Sequence, residues 1–192
     1  MIKLRTEQEG RLYRVTLASP EMRNMLDREA CMELLRELRE AESDPSIGAI
    51  LLEADGPVFC AACEPHEELL ALGRDISKPL IAAVQGVALG GGLALMANAH
   101  IVIAAQGTSF GLTGIREGSW HRAIHLAVAH AIGQRRALEL ALSGRVFSTP
   151  DALAWGLVHH VAPAFEFDER AEQIATEIAN ANAEAVREML AE

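Results

Sequence analysis

Aromatic side chains are scarce in this chain: Phe, Trp and Tyr together make up 4% of its 192 residues, although 50% of the residues are hydrophobic. A core with so few rings must be filled mainly by Ala, Leu, Ile and Val, a filling that suits helices laid on a sheet. Long apolar runs are missing too. None approaches the roughly 18 residues of a bilayer-spanning helix, and Met1-Ile2-Lys3-Leu4-Arg5 lacks a signal-like apolar block, so the expectation is a cytoplasmic protein with no membrane partner. Basic charge is also short. With 17 Lys and Arg against 27 Asp and Glu, the net charge of -10 repels a phosphate backbone, and no local Lys/Arg cluster offsets it; nucleic acid is excluded as a partner. Cys31, Cys60 and Cys63 are an odd number of cysteines for so long a chain, which argues against a secreted disulfide framework.

What is present is an alternation of strands and helices in a length that fits one domain with a sizeable core. Leu12 to Leu17 alternates as a strand does, and Ser19-Pro20 ends it. Asp27 to Glu42 carries Ala30, Cys31, Leu34, Leu35, Leu38 and Ala41 at helical spacing, and Asp44-Pro45 stops it. Ala49 to Glu53, Leu80 to Val84 and Ile101 to Ala105 are short apolar runs suited to strands buried on both faces. Gly91 to Ala97 reads as a helix whose first turn is glycine, which leaves amide N–H groups open to a ligand oxygen. Thr149-Pro150-Asp151 opens a short helix with Thr149 as the expected cap, and Gly156 closes it. Such an order predicts parallel strands joined by crossovers.

Two smaller patterns carry chemistry of their own. Cys60-Ala61-Ala62-Cys63 is a CxxC, which becomes a redox pair only where a helix start lowers a thiol pKa; Cys31 reads as a small buried side chain. Trp120, Ala123, Ile124, Ala127, Val128, Ala131 and Ile132 form one helical stripe, with His121 at its border in the first turn. His125 follows one turn later, so two histidines could share a metal, but no third ligand has a clear place and no metal is expected.

The stretch Lys78-Pro79-Leu80-Ile81-Ala82-Ala83-Val84-Gln85-Gly86-Val87-Ala88-Leu89-Gly90-Gly91-Gly92 resembles the signature of the enoyl-CoA hydratase/isomerase, or crotonase, superfamily. Ser19-Pro20-Glu21-Met22-Arg23-Asn24-Met25-Leu26, Val58-Phe59-Cys60-Ala61-Ala62-Cys63-Glu64, and the region from Arg135-Arg136-Ala137-Leu138-Glu139-Leu140 to Gly156-Leu157-Val158 resemble three further family segments in the same order. The resemblance runs from about Leu12 to about Val186. It implies an α/β crotonase-like spiral of ββα units: a core at residues 1–163, then a helical segment at 164–192 for cover or oligomerisation.

The resemblance also implies an acyl-CoA or related acyl-thioester substrate, with coenzyme A as part of the substrate and no other cofactor. By motif position the thioester oxygen would lie between the amides of Cys63 and Gly91, and Arg23, Ala61, Gly90, Gly114 and Trp120 would line the substrate. Donors placed in this way stabilise developing enolate charge, each worth typically about 2.7–4 kcal/mol in the transition state. Two departures stand out. Hydratases of the family carry one glutamate two residues after the triple glycine and another three after the Phe-Gly pair; here those positions hold Ala94 and Gly114. Hydration needs one group to activate water and one to deliver a proton, and neither residue can do so. Glu117, His121 and His66 are the remaining acid/base candidates. His121 stands where isomerases and dehalogenases of the superfamily carry an aspartate; near a helix N-terminus its ring is favoured neutral, which suits a base.

The segment Glu64 to Ser77 is shorter than is usual in the family, which implies a more open site. Helices are expected at Phe165 to Ala179 and Glu184 to Leu190, where relatives continue with further cover, so a neighbouring subunit in a homotrimer or hexamer could supply it. The expected function is acyl-thioester processing by isomerisation, decarboxylation or thioester hydrolysis rather than standard hydration. The alternative is a non-catalytic acyl-thioester binder or oligomer partner on the same fold.

Overall fold

In the runs Ala49–Ala54, Leu80–Val84 and Ile101–Ala105 both faces are apolar, and the fold uses both. Ile50, Leu52, Leu80, Ala82, Val84, Val102 and Ala104 point into one buried cluster. Their strand neighbours Ala49, Leu51, Ile81, Ala83, Ile103 and Ala105 point into a second. A two-residue period with no polar face therefore seats the strands between two helical layers.

The computed structural model describes residues 3–191. In chain order the elements are Leu4–Glu9 (β1), Leu12–Leu17 (β2), Arg28–Ser43 (α1), Ala49–Ala54 (β3), Leu80–Val84 (β4), Val87–Leu89 (β5), Gly91–Ala97 (α2), Ile101–Ala105 (β6) and Ser109–Gly111 (β7). Arg122–Ile132 (α3), Gln134–Ser143 (α4), Val146–Ser148 (β8), Thr149–Ala154 (α5), His160–Ala162 (β9), Phe167–Ala179 (α6) and Ala183–Leu190 (α7) complete it. The main sheet has the order β1-β2-β3-β4-β6-β9. Its strands run parallel apart from β1, which forms an antiparallel hairpin with β2. A second sheet, β5-β7-β8, lies at the site end.

Helix α1 follows its sequence pattern closely. The Asp27 carboxylate accepts from the Ala30 amide at 2.9 Å as its cap, and Ala30, Cys31, Leu34, Leu38 and Ala41 are buried. Three details differ from the sequence reading. Ser148, not Thr149, caps α5: it accepts from the Asp151 amide while the Asp151 carboxylate accepts from the Ser148 amide, a reciprocal capping box. Thr149 is turned inward, and its hydroxyl donates to the Thr108 carbonyl at 2.9 Å. Helix α6 starts at Phe167, two residues late, and Phe165 stays in solvent. Helix α3 starts at Arg122, so His121 is its extended N-cap residue and lies outside the first turn.

The segment after residue 163 is an integral layer in its first half. Phe167, Ala171, Ile174, Ala175 and Ala179 of α6 pack into the same cluster as Leu51, Ile81 and Ile103, and Arg11 donates to the last of these, the Ala179 carbonyl, at 3.0 Å. Helix α7 buries no residue. No helix among the described residues is long and apolar enough to cross a membrane.

Candidate active site

The segment Cys60–Cys63 runs extended along the edge of the small sheet, where Cys60 bridges to Ala88 and Cys63 to Leu26. Leu26 donates to the Ala62 carbonyl and accepts from the Glu64 amide, both at 2.9 Å. Successive amides of an extended chain point to opposite sides, so the N–H of Cys63 faces away from Leu26. At the adjoining turn Gly90 has φ 51° and ψ -116°, a backbone shape open essentially to glycine. Its own amide donates to the Gly111 carbonyl at 2.8 Å, and the first bond of α2 runs from Ala94 N to Gly90 O. That leaves Gly91. Among the described residues neither the Cys63 nor the Gly91 amide has an acceptor, and both residues line one cavity of about 500 Å³.

The glycines also serve the protein's own packing. A Cβ on Gly91 would fall on the Cys63 carbonyl oxygen and lie 2.9 Å from its Cα. One on Gly92 would fall on the Cys60 carbonyl oxygen and lie 2.9 Å from the Cys60 Cβ. The two amide-bearing segments thus touch backbone to backbone, and that contact sets Cys63 and Gly91 side by side at the wall of the same cavity.

Neither position implied for a catalytic glutamate is open for one. Ala94 is fully buried with Leu93, Leu95 and Met96 and is absent from the cavity wall. Gly114 lines the cavity, but a Cβ there would meet the carbonyl oxygen and the Oγ of Ser119, each at 2.9 Å. Ser119 is held in place by donating to the Gly114 carbonyl from its amide at 2.9 Å and its hydroxyl at 3.3 Å.

Arg23, Ala61, Gly90, Glu117, Trp120 and His121 all line this cavity. Glu117 ends a short 3-10 helix, Thr113–Glu117, and is exposed, as His121 is. Trp120 stands at the mouth, 59% exposed. His66 does not reach the cavity; its Nδ1 accepts from the Leu69 amide at 3.3 Å, at the start of the short helix Leu69–Arg74. His125 was read from sequence only as a possible metal partner of His121, yet it is the buried histidine of the wall. The inward face of α3 buries His125, Val128 and Ala129, with Ala127 beside them. Spacing of i, i+3 and i+4 among these three was the available signal. No group of three or more His, Cys, Asp or Glu side chains among the described residues is placed to hold a metal.

The CxxC does not form a pair. The Cys63 sulfur sits 3.5 Å from that of Cys31, while Cys60 turns its thiol to the Ala62 carbonyl at 3.1 Å. Burial pushes the Cys60 thiol up to about 12. The hydrogen bond to Cys31 and then burial raise that of Cys63. Thiols so held are poor nucleophiles.

Comparison with known proteins places this geometry. A model of the enoyl-CoA hydratase/isomerase family matches residues 62–192. A mevalonyl-coenzyme A hydratase from Aspergillus fumigatus is 33% identical over 191 residues, covering 90% of this chain and 71% of that protein. The mitochondrial enoyl-CoA hydratase domain-containing protein 3 of Rattus norvegicus is 30% identical over 195 residues, covering 91% of this chain and 64% of that protein. Human enoyl coenzyme A hydratase domain-containing protein 3 superposes with a TM-score of 0.90 at 26% identity, over 98% of this chain and 81% of that one. A carnitinyl-CoA hydratase from Mycobacterium avium gives 0.87 at 29% identity, over 97% and 78%. The fold is that of the crotonases, and the chain belongs to the enoyl-CoA hydratase/isomerase family.

Proposed function

We propose that the protein takes an acyl thioester of coenzyme A into the cavity beside α2 and stabilises enolate-like charge on the thioester oxygen with the N–H groups of Cys63 and Gly91. The observation that carries this reading is the pair of acceptor-free amides at one cavity. Donors fixed before the substrate arrives need no reorganisation when charge develops, which is where most of their benefit lies. Leu112, Ile115, Ile124 and Trp120 supply an apolar wall for the acyl chain. Coenzyme A enters as part of the substrate, and no further cofactor is required.

Hydration of a double bond needs two proton-transfer groups, and Ala94 and Gly114 offer none. The chemistry therefore belongs with isomerisation, decarboxylation or thioester hydrolysis, although the relatives above are named hydratases. Glu117 and His121 are exposed acid/base groups at the wall, as is Glu64. A homotrimer or hexamer is part of the same reading, since Leu138 and Leu142 of α4 leave apolar area exposed; sedimentation of the assayed protein checks it. The function is tested by calorimetric binding and turnover across a panel of acyl-CoA thioesters, with crotonyl-CoA hydration included and His121→Ala run alongside. Binding with turnover other than rapid hydration is expected. Binding without any turnover selects a non-catalytic thioester binder, and no binding across the panel removes the reading altogether.

A further inference from the structure

Resting on that acyl-thioester reading, we propose that His125 is the residue that moves the substrate proton in this site. The ring is 8% exposed, its Nδ1 is buried without a hydrogen-bond partner among the described residues, and it lines the cavity shared by Cys63 and Gly91. The Trp120 ring lies beside it, 6.1 Å between centroids at 42°.

The other histidines differ. His66, His100 and His159 each commit Nδ1 to a backbone amide, those of Leu69, Leu80 and Val102. His121, His130 and His160 are exposed. A neutral imidazole carries one N–H and one lone pair, and whichever sits on Nδ1 of His125 has no protein group to satisfy it. An unsatisfied buried nitrogen destabilises a fold. Packing alone would favour a leucine at this place on the stripe with Val128 and Ala129. A polar group that costs stability and lines the cavity that Cys63 and Gly91 also line marks a site of chemistry.

One base is enough for the reaction it would serve. The imidazole lone pair takes a proton from the α-carbon of the thioester. The C–H electron pair forms the new carbon–carbon π bond, and the carbonyl π pair moves onto the oxygen held by the Cys63 and Gly91 amides. The imidazolium then returns the proton. Return to the same carbon, after exchange with solvent, replaces hydrogen there; with a 3-enoyl chain, return to the γ-carbon leaves the double bond conjugated to the thioester. No carboxylate at position 94 or 114 is required.

The test follows α-hydrogen exchange of butyryl-CoA in D2O by mass spectrometry, for the wild type, His125→Gln and His125→Ala, with butyryl-CoA binding measured calorimetrically in parallel. Exchange is expected to fall about a hundredfold or more in both variants, with binding kept within a few-fold and added free imidazole restoring part of the rate in His125→Ala. Where the alanine variant fails to fold, the glutamine variant carries the comparison. In the folded wild type, the ring NMR signals of His125 should also shift on binding. Exchange that persists in His125→Gln, or a wild type that binds butyryl-CoA without exchanging it, overturns the role of His125 and leaves the thioester site standing. A wild type that binds no thioester fails at the underlying reading instead.

Discussion

Gly91 shows how one position can be set by two demands at once. Its missing side chain lets the Cys63 backbone press against α2, and the same contact sets two residues whose amides lack an acceptor side by side at one cavity. Gly91→Ala must push the Cys63 strand aside. We expect a stability loss of about 1–3 kcal/mol in chemical denaturation, together with loss of thioester binding; a variant that binds as the wild type does would show that Cys63 and Gly91 do not hold the ligand. Glycine at this place was legible from the triple-glycine motif, but its internal steric reason was not, because Cys63 lies 28 residues away in sequence. His125 was hidden because it stands one turn after His121 on nearly the same side of α3, and spacing alone does not say which of the two the neighbouring segments bury.

Longer elements were easier to read than short ones. Helix α1 and strands β2, β3, β4 and β6 carry enough apolar residues for their period to show. Strands β5, β7, β8 and β9 have three residues each, too few for a period, and exist because partners distant in sequence offer hydrogen bonds. The start of α5 was read one residue late, since Ser148 and Thr149 are both good caps and only their tertiary setting separates them, Ser148 in the box with Asp151 and Thr149 bonded inward to Thr108. Ser148→Ala removes the capping box and should cost about 0.5–2 kcal/mol in thermal or urea unfolding, while Thr149→Val should disturb the packing under β7 instead. Equal effects of removing either hydroxyl on the fraying of α5 would contradict the assignment.

Across the whole molecule, two histidines tie the fold to pH. His100 and His159 accept the Leu80 and Val102 amides at the starts of β4 and β6, each at 2.9 Å. Burial holds both rings below their ordinary value of 6.5, helped at His159 by the neighbouring His160. The unfolded chain then takes up protons that the native state refuses, so their stabilising effect is complete above 6.5 and is lost as pH falls from there through the lower native values. Urea midpoints measured between about pH 7 and about pH 5 should decline, and His100→Gln should flatten the decline; a midpoint that rises on acidification would contradict the sign. The order of elements, the apolar strands, the glycine-rich turn and the absence of carboxylates at positions 94 and 114 follow from local composition and spacing, so they were present in the chain before any folding. Which amides stay unpaired, which histidine turns inward and what fills the space beside Gly114 depend on contacts between segments far apart in sequence. Local periodicity carries no record of such contacts, because a strand or helix reads the same whatever packs against it.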